Sequence, residues 1–163
     1  MVLHEAVRYK SWADRRTLDA VAALDAHRDA TTLDFARQQL HHLVRVQELF
    51  RARALGQAEP HDSTNADPVP ALGELDQRLT ASNEWLQSWL AGLEPPALAQ
   101  PVRFRFTDGQ RGCLSREELV FHLVNHATYH RGAIGHALDR CGAARPADTY
   151  TVFIHAAQPQ RRQ

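Results

Sequence analysis

Apolar residues recur at three- and four-residue intervals along four long stretches of the chain, the pattern of helices with one buried face. The first runs from about Leu3 to Arg28, with Trp12, Leu18, Val21, Ala22 and Leu24 on its apolar side. The second opens at Thr31 or Thr32, residues that suit an N-cap, and stops at Gly56. The third covers Ala71 to Ala91, before Gly92 and the Pro95-Pro96 pair that interrupts the chain. The fourth opens at Ser115, which with Glu118 forms a capping-box pattern, and runs to Arg140 before Gly142. Between the third and fourth, Val102 to Phe106 alternates apolar and polar as a strand does. Thr107-Asp108-Gly109-Gln110 reads as a hairpin turn and Arg111 to Leu114 as the return strand. Residues 57–70 hold three prolines among small polar residues and form a long loop. The tail holds a short apolar run, Tyr150 to Ile154. The expected fold is all-α: a four-helix bundle with a small β-hairpin before the last helix, and residues 1–163 as one domain.

Composition narrows the classes. Of 163 residues, 44% are hydrophobic and 23% charged, so the chain can form a packed core. The 19 basic and 19 acidic residues cancel, which argues against a nucleic-acid footprint. Lys10 is the sole lysine and the arginines are scattered. Cys113 and Cys141 make no disulfide framework, no apolar leader opens the chain and no stretch is long enough to span a membrane. These features lead us to expect a cytoplasmic protein without a membrane partner. Histidine is the outlier, at ten residues.

Periodicity sorts the histidines. On the second helix Asp34, Arg37, Gln38, His41, Arg45 and Glu48 share a polar face, which places His41 at the surface. His42 falls among Phe35, Val46 and Leu49 and points inward. On the fourth helix His126 and His130, one turn apart, lie within or beside the stripe of Leu119, Leu123, Ile134 and Ala137. His122 sits at its edge and His136 on the polar side. Three inward imidazoles are either core residues with hydrogen-bond partners or ligands of one divalent ion, which would satisfy all three together. Ala127 stands where a metalloprotease helix carries its glutamate base, so that chemistry is excluded. Gly132 and Gly135 inside the last helix suggest close helix approach, and Arg131 a surface salt bridge or a carboxylate contact. Trp12, Trp85 and Trp89 suit core or interface packing.

The segment Asn125-His126-Ala127-Thr128-Tyr129-His130-Arg131-Gly132 resembles the final-helix signature of the DinB (YfiT-like) family. His42 with Phe50 eight residues on, Tyr9 to Asp14, the Asp108-Gly109 turn and Asp148 extend the likeness over nearly the whole chain. Two positions depart from it: Ala133 where that family carries glutamine, and Asp14 where it carries asparagine. The resemblance implies an up-down-down-up bundle with a divalent metal, zinc or nickel, on His42, His126 and His130.

A three-histidine site leaves a coordination position open, as catalytic sites do, unless His122 supplies a fourth ligand. The expected function is that of a metal-dependent hydrolase or a low-molecular-weight-thiol transferase acting on a small molecule. The alternative is a non-catalytic metal-binding protein associated with stress. The tryptophans of the first and third helices, with Leu86, further suggest a homodimer.

Overall fold

The computed structural model describes residues 2–162. Helices α1 (Val2–Ala22), α2 (Ala30–Leu55), α3 (Leu72–Ala91) and α5 (Arg116–Cys141) form the bundle. A one-turn helix α4 (Pro95–Leu98), strands β1 (Pro101–Arg105) and β2 (Arg111–Ser115), and a short α6 (Tyr150–Ala157) complete it, ahead of a 3-10 turn at Pro159–Arg161. The cross-links fix the directions. Arg15 reaches Asp76 and Lys10 reaches Asn83, so α1 and α3 are antiparallel. Arg37 bonds the carbonyls of Val69 and Pro70 while Arg78 bonds Glu48, so α2 and α3 run parallel. His42 meets His126 and Gln39 meets His130, so α2 and α5 are antiparallel. The bundle is therefore up-down-down-up, with the antiparallel hairpin leading into α5.

Helix ends follow local chemistry. Ser115 accepts the Glu118 N–H while the Glu118 carboxylate accepts the Ser115 N–H, the reciprocal capping box that starts α5. Ser115→Ala is expected to cost about 1 kcal/mol in urea unfolding, with the midpoint lowered and the slope unchanged. Gly56 and Gly142 end α2 and α5 with φ of 64° and 77°, a left-handed conformation that side chains disfavour. The first helix stops at Ala22, six residues short of the sequence expectation. There the Asp25 carboxylate accepts the N–H groups of His27 and Arg28, and Asp29 accepts that of Asp25, drawing the backbone into a turn. The second helix accordingly starts at Ala30, next to Asp29. Pro95 and Pro96, expected as a break, open α4, since the first helical positions need no N–H. The apolar tail run is helical, capped by Thr149, and packs Phe153 and Ile154 on Tyr9 and Trp12.

Two apolar clusters fill the bundle. Leu40, Leu43, Leu75, Leu79, Ile134 and Leu138 form one; Val7, Phe50, Leu86, Leu90, Leu119 and Leu123 form the other. Each such side chain contributes about 1.5–3 kcal/mol on burial. Between them lies a polar layer. Lys10, wholly buried, donates to Asp14 and Asn83. Arg131, 3% exposed, donates to Asp14 and Asp148, and Asp148 also accepts from Tyr9. Arg131 is thus no surface residue: two cations and two carboxylates balance across α1, α5 and the segment before α6. Gly135 makes room for the Arg145 side chain, since a Cβ there would sit 2.7 Å from Arg145 Nε. Gly132 faces open space, so neither glycine serves helix approach. Of the tryptophans, Trp85 and Trp89 stack on each other, half-buried, and Trp12 packs against Phe153.

The long loop is a strap. Because α2 and α3 are parallel, residues 56–71 retrace α2, bonding it roughly once per turn. Glu59 pairs with Arg53, His61 with Glu48, the Ser63 carbonyl with Arg45, Asn65 with His42, and Val69 and Pro70 with Arg37. The strap and Arg78 of α3 cover the polar face of α2, which corrects the expectation for His41. His41 is 5% exposed and Arg45 8%, because a polar helix face can be roofed by polar backbone as readily as by water.

Candidate metal centre

His42 on α2 and His126 and His130 on α5 meet where the two helices face each other. Helical spacing puts His126 and His130 on one face, and antiparallel packing brings His42 opposite them. The Nε2 atom of His126 lies 3.2 Å from that of His42 and 3.1 Å from that of His130. The three form a convergent set, with one ring nitrogen from each lying within 4.8 Å of the others.

The opposite ring nitrogens are held. His130 Nδ1 donates to Gln39 Oε1 at 2.7 Å, and His42 Nδ1 donates to Asn65 Oδ1 at 3.2 Å. Amide oxygens only accept, so both rings carry their proton on Nδ1 and present bare lone pairs at Nε2. His126 can place one N–H between itself and one neighbour, never both. With all three rings neutral, one of the two short N···N contacts is therefore lone pair against lone pair. A cation relieves it. With metal–nitrogen bonds of about 2.0–2.1 Å, three nitrogens of a tetrahedral site lie about 3.3 Å apart. The donor set fits a borderline divalent ion in composition, protonation and spacing.

Electrostatics agree. Burial, then the neighbouring His130 and His42, pushes the His126 imidazolium down to about 3. Burial, followed by His42, brings His130 down to about 4. Both rings are thus neutral ligands at ordinary pH. His122 does not join them: its ring stacks on that of His126 at 5.5 Å and lies 4.7 Å from Phe50. The convergent set among the described residues has three members, His42, His126 and His130.

The sequence brought forward the three histidines and missed what orients them. Gln39 stands three residues before His42 on the same helix face, a spacing that signals it only once the partner ring is known. Asn65 arrives from the strap, where no periodicity operates. Tyr129, adjacent to His130, is 75% exposed and turns away from the bundle.

Comparison with known proteins gives one finding. The model of the DinB family matches residues 1–162, essentially the whole chain. No curated protein and no solved structure gives a significant match.

Proposed function

The chain belongs to the DinB family, and from that membership and the histidine geometry we propose a divalent-metal-dependent enzyme that acts on a small molecule. The observation that carries the proposal is the convergence of three imidazole nitrogens within 4.8 Å of one another, His126 lying 3.1–3.2 Å from each of the other two, with Gln39 and Asn65 holding two of the rings from behind. His42, His126 and His130 would hold the ion, with zinc or nickel suited to a neutral nitrogen set. A bound ion supplies Lewis acidity, which lowers the pKa of a water or thiol in its open position and so serves hydrolysis or thiol transfer. The protein's own part is orientation. Gln39 and Asn65 fix which nitrogen each ring presents, and burial keeps His126 and His130 unprotonated.

The amides give a graded test. Gln39→Ala is expected to weaken zinc affinity by about 10–100-fold, as loss of such supporting partners does, while leaving the fold intact. Competition with a chromophoric chelator reads this directly. An unchanged affinity would mean the ring is oriented by packing alone. For catalysis, zinc- and nickel-loaded protein should turn over at least one member of a panel of activated esters, amides and thiol-conjugation substrates. Metal bound at unit stoichiometry with no turnover on either branch would favour a non-catalytic metal protein.

A further inference from the structure

The face of α5 that carries His126 and His130 continues through Ala133 and Ala137, and the face of α2 that carries His42 continues back through Phe35 to Thr31. Because the helices are antiparallel, these residues lie on the two facing sides of α2 and α5, displaced along the helix axis from the histidines. There the surface holds an open depression of about 340 Å³, lined by Thr31, Thr32, Phe35, Ala133, His136, Ala137 and Arg140. Seven residues separate His130 from Ala137 and His42 from Phe35, so the depression lies about 10 Å from the cluster along the helix axis, at 1.5 Å per residue. Its walls are methyl groups and the ring of Phe35, which stays 37% exposed.

The charge at the far end is positive. Arg140 leans back along α5, as helical side chains do, over the turn that holds His136. The nearby carboxylates are engaged elsewhere: Asp29 by Arg28, Asp34 by Arg37, and Asp139 by Arg145. Arg140 makes no ion pair among the described residues. An apolar slot with an unpaired guanidinium at its end selects an apolar body that terminates in an anion.

We infer that this depression binds the remote end of the substrate, and that the substrate class is a small carboxylic acid. Its apolar body would lie against Phe35, Ala133 and Ala137, and its carboxylate would meet Arg140, with the reacting group at the histidine cluster. The inference rests on the reading of that cluster as a metal centre, and the test separates the two. The probes are 8-mercaptooctanoate, whose thiol and carboxylate are a comparable span apart, and its neutral counterpart 8-mercaptooctanol. On zinc-loaded protein the acid should bind at least tenfold more tightly than the alcohol. Arg140→Gln should remove that difference and leave the alcohol unchanged. Equal binding of acid and alcohol would overturn the inference. Octanoate, which lacks the thiol, is then titrated into the His126→Ala protein while the methyl resonances of Ala133 and Ala137 are followed. Shifts that disappear in Arg140→Gln support binding in the depression even if neither thiol binds through zinc. Unmoved resonances, with both thiols bound equally through zinc, would reject binding in the depression and leave the metal reading standing.

Discussion

Arg131→Met is expected to destabilise the fold by about 3–5 kcal/mol, the cost of breaking a buried ion pair by removing one partner. Arg131 supplies the ion pairs to Asp14 and Asp148, and the side chains of Arg131 and Asp14 are each only 1% exposed. Methionine restores much of the volume and none of the charge, so Asp14 keeps Lys10 alone and Asp148 loses its guanidinium. Urea unfolding measures the loss, and a change below about 1 kcal/mol would show that the layer tolerates an unpaired charge. The same pair sets an acid limit. Burial alone would raise the Asp14 carboxyl, but Lys10 and Arg131 outweigh it and hold the group below the usual carboxylate range. A depressed folded value means that the unfolded chain takes up the proton first. The contribution of Asp14 is therefore complete above about pH 4 and declines as pH falls through the lower folded value. In Asp14→Asn that decline should be absent, so the difference between the two stability–pH curves should shrink as pH falls through that range.

His126→Ala is the substitution expected to abolish metal binding. Its Nε2 makes both short contacts of the cluster, so its loss leaves His42 and His130 without the member that bridges them. Zinc affinity should fall by more than about 100-fold, beyond what loss of an orienting partner produces. In the intact protein, free zinc at 100 times its dissociation constant should add about 2.7 kcal/mol of stability by mass action, and in the variant less than about 0.4 kcal/mol. A strong chelator should return the loaded protein to its metal-free melting temperature. His122→Ala is the control, expected to keep zinc affinity within about threefold, because its ring stacks beside the cluster without joining it. Zinc binding that survives His126→Ala but not His122→Ala would reassign the centre.

Much of this arrangement could be read from the chain, and the failures have a common cause. The four long helices, the capping box at Ser115 and the Asp108-Gly109 hairpin are local, set by residues within one or two turns of each other. The histidines were legible because a cluster built across two facing helices leaves a helical period in each. His41 was misplaced because the group that buries it, the strap, makes its bonds from up to 33 residues away. For Arg131 the carboxylate contact holds and the surface salt bridge does not, a choice the chain could not make because Asp14 and Asp148 reach it from 117 and 17 residues away. The burial and pairing of Lys10 and Asp14 escaped notice in the same way. The end of α1 at Ala22 was lost to side-chain bonds of Asp25 and Asp29, which compete with the helix without interrupting its apolar pattern.

The antiparallel pairing of α2 with α5 also governs when the centre can exist. His42 and His126 are 84 residues apart, and Gln39 and His130 are 91 apart. During synthesis α1, α2, the strap and α3 leave the ribosome well before α5, and chains fold from the N-terminus as they emerge. Through that interval α2 shows the growing chain's surroundings a single imidazole, supported by Asn65 and unable to chelate on its own. The three imidazoles come together only when the last long helix docks, so the proposed site is expected to take up an ion only then. A ribosome-stalled chain ending before Arg116 should bind zinc no better than an unfolded peptide of the same histidine content.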